Sequence, residues 1–427
     1  MVKGIKRSII FLMVCILAPP VKAFEWSGFV SGYSAYTDNA RIVDGGEEDE
    51  YIFAGTLGIS ASHQQEELSA LMDYEVDYFQ YTEDVFNDET MIDGKGIVRW
   101  NVVPESASFY VKNKERQTTE FSRIADTPDN KVQRSIVEGG GDFSVRMSPV
   151  DQLFSNVSRE ILKTDKKIPN NNDRDSASFG WQHILSDRLR FSLHYQDGVI
   201  DFDNEEFEDY DYSSYGLTVN KLIKRGKIDI VVGRAIMDPE LSSSSRGNFY
   251  QVEIKKEYNG KRFSLLASKM LTDSSIGISH DLSEIVDFSG LSENVGDLER
   301  INQKVYIVTM EIPITKMFSY SMYLLYNDES SLESNDEDKQ KLVNASIKMH
   351  VNDTDTFKLS AGYVENEFLD EIESGENDKT TVRLHYNKET SKKINIYCTF
   401  ENLKRTESDG SKPVENEYRV GFSYLLH

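Results

Sequence analysis

Apolar and polar side chains alternate along much of the chain, in segments of about ten residues. A period of two residues is typical of a β-strand that has one apolar face and one polar face. In the segment 357–363, the apolar face carries Phe357, Leu359, Ala361 and Tyr363. The same alternation recurs at Phe191–Tyr195, Val343–Met349, Thr381–Tyr386, Ile394–Phe400 and Tyr418–Tyr424.

The connections between these segments alternate between short turns and long acidic stretches. Short turns include Ser186–Arg188, Arg225–Lys227, Asn259–Lys261 and Thr315–Lys316. Short turns at one end and longer loops at the other are typical of outer-membrane barrels, whose short turns face the periplasm. We therefore expect long external loops at Thr37–Glu50, Thr82–Lys95, Glu120–Arg134, Lys163–Asp173, Asp201–Asp211, Pro239–Gly247, Thr272–Gln303, Asn327–Lys339, Glu365–Lys379 and Lys404–Glu415.

Pairing each long loop with two flanking strands predicts about 20 strands, and 18 also fits the pattern. Beyond the N-terminal region, no apolar stretch approaches the roughly 18 residues that a membrane helix needs. A chain without such a helix enters a membrane only as a closed barrel. The sequence thus predicts an all-β, antiparallel, up-and-down transmembrane β-barrel. A water-soluble β-sandwich or propeller would also alternate, and remains the alternative.

The N-terminal region has the pattern of a secretory signal peptide. Lys3, Lys6 and Arg7 precede the apolar run Ser8–Ala18, and Val21-Lys22-Ala23 is a small-x-small cleavage sequence. We expect cleavage between Ala23 and Phe24, which divides the chain into a signal peptide, residues 1–23, and a single barrel, residues 24–427. Export together with a barrel predicts the outer membrane of a Gram-negative cell.

The net charge of −24 argues against nucleic acid as a partner. The expected partners are outer-membrane lipid, lipopolysaccharide and the barrel-assembly machinery. Many outer-membrane barrels end in Phe, whereas this chain ends Tyr424-Leu425-Leu426-His427. This difference bears on how the chain is recognised during assembly. It does not bear on the barrel prediction, because the last strand still alternates between apolar and polar residues.

One region resembles a known family. It contains Trp100-Asn-Val-Val-Pro104, then Thr127-Pro-Asp-Asn130, then Gly139-Gly-Gly-Asp-Phe-Ser-Val-Arg146 followed by Ser148-Pro-Val-Asp151. These motifs resemble the β-barrel porin family found beside exopolysaccharide gene clusters, including barrels associated with the PEP-CTERM and exosortase system. The resemblance implies an outer-membrane barrel with a role in export or assembly of exopolysaccharide, and exopolysaccharide and its export components as partners. It implies no catalytic residues.

If the apolar faces point to lipid, the other faces line the lumen, and charges are unequally distributed there. An acidic row on one strand opposes basic rows on the strands that follow, which would set up a field across a pore. The alternative is that these side chains form cross-strand pairs that neutralise one another. The predicted lumen-lining residues are Asp73, Glu75, Asp77, Arg99, Lys112, Lys114, Arg116, Glu138, Asp142 and Arg146.

Two further features concern the loops. Thr272–Gln303 is the longest, and would either fold into the lumen and narrow it or form an external cap. Acidic clusters occur at Glu47–Glu50, Asp201–Asp211, Asp328–Asp338 and Glu365–Glu376, and could hold divalent cations that bridge lipopolysaccharide phosphates. None has the Gly-containing spacing of a calcium loop, so we expect solvated loops and no metal site.

The sequence offers no pattern for catalysis. Its histidines form no metal-ligand spacing and no Ser/His pairing, and no Gly-rich phosphate loop or Cys/His cluster is present. We therefore expect neither enzyme activity nor a cofactor. Three functions stay open: a conduit or accessory for exopolysaccharide, a general small-solute diffusion porin, and a closed structural or adhesive surface barrel.

Overall fold

The computed structural model describes residues 24–119, 127–165, 171–204, 207–273, 300–332, 336–369 and 374–426. These residues form 20 β-strands and one short 3₁₀ turn at Pro128–Asn130. The strands are β1 Glu25–Thr37, β2 Glu50–Gln64, β3 Leu68–Tyr81, β4 Glu89–Val103, β5 Ala107–Thr119, β6 Lys131–Arg146, β7 Asp151–Thr164, β8 Asn172–Ser186, β9 Leu189–Phe202, β10 Tyr210–Ile223, β11 Gly226–Pro239, β12 Ser245–Tyr258, β13 Lys261–Asp273, β14 Arg300–Pro313, β15 Phe318–Ser331, β16 Glu337–His350, β17 Asp355–Leu369, β18 Ser374–Ser391, β19 Ile394–Thr406 and β20 Val414–Leu425.

The strands form one closed antiparallel barrel. Each strand pairs with the next along the chain, and β1 also pairs with β20, from Phe29 opposite Leu425 to Thr37 opposite Glu417. Closure leaves no open edge, so every strand has two hydrogen-bonded neighbours. The predicted all-β, up-and-down barrel of 20 strands is confirmed. Among the described residues, no helix is long and apolar enough to cross a membrane.

One end of the barrel carries nine short connections of two to four residues, from 65–67 to 392–393. The turn at Asn259-Gly260 shows how the sequence sets them. Both residues have positive φ, 50° and 75°, and Tyr258 pairs directly with Lys261. A two-residue turn of this kind matches the twist of the flanking strands, and Asn-Gly tolerates it best.

The other end carries the ten remaining connections, several of which are shorter than expected. The connection predicted as Glu365–Lys379 is reduced to 370–373, and the one predicted as Asn327–Lys339 to 332–336. The strands continue past the apolar band, where both faces are polar and the sequence alternation fades. Backbone pairing still holds there, so the ladder extends beyond the apolar signal.

The outer face of the barrel is apolar. Large side chains that are about half exposed lie on this face: Trp26, Leu57, Trp100, Val157, Phe179, Leu193, Val420 and Phe422. A closed barrel whose exterior is apolar satisfies its backbone in the ladder and presents its side chains to lipid. This closed barrel with an apolar exterior has the architecture of an integral barrel of the Gram-negative outer membrane.

Part of the inward face is also apolar. Leu266, Val305, Ile307, Tyr323 and Leu325 form one buried cluster on β13, β14 and β15, which also includes Leu342 of β16. A second cluster, towards the long-loop end, centres on Ile200, Tyr210 and Met237, against which Tyr212 and Phe249 pack. The interior is therefore partly filled by side chains, and the free lumen is narrower than the strand number alone would allow.

The wall is irregular between β4 and β5. The paired positions end at Gly94 opposite Glu115, so the first residues of β4 do not pair with β5. The Gln133 amide of β6 reaches across instead: its Nε2 donates to the Ile92 carbonyl at 2.6 Å, and its Oε1 accepts from the Ile92 N–H at 3.2 Å. One side chain thus takes the place of a ladder bond.

Candidate functional site in the barrel lumen

A cavity of about 2050 Å³ lies inside the barrel. It reaches from Arg225 and Gly226, at the short-turn end, to Thr118 and Lys131, near the long-loop end. Residues of β3–β6 and of β11–β20 line it, whereas β1, β2 and β7–β10 contribute none of its lining. The cavity is therefore lined from opposite parts of the barrel wall and extends along most of the barrel's height.

The lining is basic, in contrast to the chain as a whole. Among the residues that line the cavity are 14 Lys or Arg and 7 Asp or Glu, while the whole chain has a net charge of −24. Serine, threonine and asparagine side chains occupy many of the remaining positions. In a confined space with low-dielectric walls, such an excess of one sign acts on entering solutes more strongly than it would on an open surface.

The predicted acidic row lies on the inward face of β3. Asp77 accepts a hydrogen bond from Thr56 Oγ1 at 2.5 Å, and Asp73, which lines the cavity, accepts one from Ser60 Oγ at 2.6 Å. Glu75 lies between them on the same face. Each partner comes from the paired position on β2, so the register places a hydroxyl opposite an acid.

The basic and acidic residues predicted on β4, β5 and β6 largely contact one another. Arg99 Nη1 lies 2.5 Å from Asp142 Oδ2, and Lys112 Nζ lies 2.9 Å from Glu138 Oε2. These are the cross-strand pairs considered as the alternative to a transverse field. They are also partly exposed, so water weakens each pair's contribution to stability.

The remaining predicted residues divide by position. Lys114 and Arg116 line the cavity, as does Asp73, and these are the three of the ten predicted residues that do so. Arg146 ends β6, opposite Gln152 of β7 and close to the short turn 147–150. The structure therefore divides the predicted set between ion pairs in the wall and groups that face the cavity.

The strands β16–β20 carry a basic row that sequence reasoning missed. Lys348 is paired with Lys358, Lys358 with His385, His385 with Thr399, and Thr399 with Arg419. All five side chains line the cavity. Each strand contributes one member, and only the register between strands brings them together.

Partners differ along this row. Arg419 lies 2.6 Å from Glu417 and stacks over the Tyr33 ring at 4.3 Å from its centroid. The His385 Nδ1 lies 2.9 Å from Thr399 Oγ1. Within the part of the chain that the structure describes, neither Lys348 nor Lys358 has a carboxylate within ion-pair distance.

A row of hydroxyl side chains lies beside the basic row, displaced from it by two residues along each strand. Ser321 is paired with Ser346 and Ser346 with Ser360, and the Oγ atoms of Ser321 and Ser346 are 2.7 Å apart. Arg383 follows Ser360 in this row, and its guanidinium lies 2.7 Å from Glu401. The lumen wall thus combines unpaired ammonium groups with hydroxyls that donate and accept.

The motif Ser148-Pro-Val-Asp151 brings Ser, Asp and His side chains together outside the cavity. Ser148 Oγ donates to Asp151 Oδ2 at 2.7 Å, and His183 Nδ1 lies 2.8 Å from Asp151 Oδ1. Trp181 Nε1 also donates to Asp151, at 3.2 Å. The hydroxyl contacts the acid and not the histidine, which differs from the order of a Ser-His-Asp triad, and the motif closes a turn.

One acidic group in the described part of the chain has the spacing of possible cation ligands. Glu365, Glu376 and Asp378 each bring one oxygen within 4.8 Å of the others. Lys341 Nζ contacts both Glu365 and Glu367, and Tyr363 Oη donates to Asp378 at 2.7 Å. These contacts supply hydrogen bonds and positive charge to the group.

Two predictions fall outside the described residues. The signal peptide, including the predicted cleavage site at Ala23, precedes the first described residue, Phe24. Of the loop Thr272–Gln303, residues 274–299 also lie outside them. Both stay predictions.

No family model matches the sequence, and no curated relative matches it. Solved structures of outer-membrane proteins resemble the fold. The FrpB iron transporter of Neisseria meningitidis is 9% identical, with a TM-score of 0.48 over 94% of this chain and 81% of that one. The siderophore receptor PirA of Acinetobacter baumannii is 8% identical, with a TM-score of 0.46 over 94% and 80%. Pseudomonas aeruginosa OpdQ is 10% identical, with a TM-score of 0.43 over 95% and 100%. At these identities, no function transfers from these proteins to this chain.

Proposed function

We propose that the chain is a porin-like barrel that gives polar solutes passage across the outer membrane. The observation that carries this proposal is the polar and charged cavity of about 2050 Å³ inside a closed barrel. A barrel that served only as a scaffold would be expected to fill its interior on all sides, whereas here the apolar packing is confined to parts of the wall.

Exopolysaccharide, or its fragments, is the first candidate cargo. The family resemblance centred on residues 127–153 supports it, and so does a lining rich in hydroxyl and amide side chains, which hydrogen-bond sugar hydroxyls. General diffusion of small solutes is the second candidate, and is favoured by the continuous run of the cavity from the short-turn end towards the long loops.

Planar-bilayer recording of the purified full chain tests the proposal. Passage predicts discrete conductance steps in potassium chloride. A reconstituted, folded protein that passes no current would instead indicate a closed structural or adhesive barrel.

The cargo is tested by adding sugars during the same recordings. Exopolysaccharide passage predicts that long polysaccharide fragments reduce the current at concentrations where glucose has no effect. If fragments and glucose of equal mass concentration change the current alike, the general-diffusion alternative holds.

A further inference from the structure

We propose that Lys348 and Lys358 form a binding site for an anionic sugar, one that bears a carboxylate or a phosphate. This inference deepens the proposed passage of polar solutes and rests on it, since it names the class of solute. The site lies on the cavity wall formed by β16 and β17, with β18 beside it.

The register places two positive charges side by side. Lys348 and Lys358 occupy directly paired positions, where Cβ atoms are about 5 Å apart. Like charges in such positions repel each other and destabilise the sheet. An anionic group that contacts both ammonium groups would remove this repulsion, and its binding would be strengthened by that relief.

Neighbouring acids do not neutralise the lysines. Glu401 is held by Arg383 at 2.7 Å and Glu417 by Arg419 at 2.6 Å. Each of these acids is therefore paired with an arginine and not with a lysine. Among the described residues, the ammonium groups of Lys348 and Lys358 keep their positive charge without an acidic partner. His385, the next residue across from Lys358, adds a further nitrogen that can donate.

The groups around the lysines suit a sugar better than a bare anion. Ser346 and Ser360 are two residues away on the same two strands and are themselves paired. Their hydroxyls can donate to and accept from sugar hydroxyls. Tyr397 lies beside His385, with ring centroids 5.8 Å apart, and also lines the cavity. A flat aromatic face of this kind can pack against a sugar ring.

The test is titration calorimetry of the detergent-solubilised full chain with three sugars of known charge. Trigalacturonate presents carboxylates, glucose 6-phosphate presents a phosphate, and maltotriose is neutral. The proposal predicts heat of binding for at least one of the two anionic sugars and none for maltotriose. The tighter of the two anionic sugars identifies the group that the site accepts.

Substitution then locates the site. Lys348→Gln and Lys358→Gln are each expected to weaken binding about tenfold, the scale of a charge-assisted hydrogen bond. The matched control is Lys388→Gln combined with Lys404→Gln, since these exposed lysines of β18 and β19 lie outside the cavity lining. The control removes as much charge as Lys348→Gln and Lys358→Gln combined in one chain, but is expected to leave binding unchanged.

Three outcomes would overturn the inference: no binding of either anionic sugar, equal binding of maltotriose, or equal weakening by the control. Folding of the glutamine variants is checked separately on gels. A folded barrel migrates differently before and after heating, and the variants should keep this difference. If the proposed function fails, the protein shows no conductance in bilayers. Calorimetry measures binding independently of conductance, so the two failures can be distinguished.

Discussion

At the scale of single residues, the three consecutive glycines of β6 have different roles. A Cβ on Gly140 would lie 2.7 Å from both Tyr110 Oη and the Val157 carbonyl oxygen, whereas one on Gly139 would meet nothing closer than 4.0 Å. The Tyr110 hydroxyl is held there because it donates to Glu138 at 2.7 Å. Close packing thus requires Gly140 and not Gly139, while a Cβ on Gly141 would meet ring atoms of Phe109 and Phe143 at 3.2 Å.

Gly140→Ala is therefore expected to destabilise the barrel by about 1–3 kcal/mol, the usual cost of overpacking. The measurement is the temperature at which the folded band is lost on a denaturing gel. Gly139→Ala is the matched control, and is expected to be neutral or slightly stabilising because alanine restricts the unfolded chain. Equal loss of stability in both variants would contradict the packing explanation.

The same scale shows what the sequence can and cannot predict about the site. Alternation predicts the face of each residue, since a side chain on a strand points opposite to its neighbours. In the segment 357–363, alternation puts Lys358 on the polar face, opposite Phe357 and Leu359. Its partner Lys348 and its neighbour His385 come from other strands, and the register that aligns them depends on turns and pairing across the barrel.

At the scale of elements, Glu50 fixes the connection between β3 and β4. Its side chain is fully buried, and its carboxylate accepts from the backbone N–H groups of Thr82 and Glu83 at 2.8 Å and of Val85 at 3.2 Å. One acid at the start of β2 thus binds the backbone of a connection more than 30 residues away.

Glu50→Ala is expected to release this connection, because the N–H groups lose their acceptor at a cost of about 1–3 kcal/mol for a buried group. Limited proteolysis should then cut within residues 82–88 faster than in the unaltered chain. Glu48→Ala is the control. Its carboxylate pairs with Arg41 at 3.0 Å on the surface, where an ion pair contributes little. Unchanged cleavage in Glu50→Ala would show that other contacts hold the connection.

The gap between β4 and β5 gives a second prediction at this scale. Gln133→Ala removes both hydrogen bonds to the Ile92 backbone, at a point where β4 is not paired with β5 in the ladder. Amide exchange at Ile92 is expected to rise about tenfold, the equivalent of about 1.4 kcal/mol. Gln117→Ala, directly opposite Gln133 on β5, should leave that exchange unchanged. If both variants exchange alike, the bridge does not hold β4 in place.

Strand number and turn positions were predictable, whereas strand length was not. Short turns such as Asn259-Gly260 have strong local preferences, so they divide the chain reliably. The ends of β17 and β18 near the long-loop end contain Glu365, Glu367 and Glu376. Such sequences indicate loops, and only pairing with the neighbouring strands makes them β-structure. The hydrogen bonds from Gln133 to the Ile92 backbone could not be predicted from the sequence, because they are a single local contact that follows no repeating pattern.

At the scale of the whole molecule, charge is separated between the lumen and the rest of the protein. The cavity lining has twice as many basic as acidic residues, although the chain has a net charge of −24. The remainder of the protein is thus more acidic than the average. Net charge alone indicated only that nucleic acid is an improbable partner, because a sum over the sequence hides which charges face the cavity.

If the proposed passage exists, this separation makes it prefer anions, and the preference should depend on salt. With a potassium chloride gradient centred near 0.05 M, we expect a reversal potential that favours chloride over potassium. Near 1 M the Debye length falls to about 3 Å, so the lining charges are screened and the preference should largely disappear. A preference that persists undiminished at 1 M would instead indicate that ions contact the wall directly at a narrow point. Preference for potassium at low salt would contradict the role assigned to the basic lining, because the fixed charge nearest the solute path would then have the wrong sign.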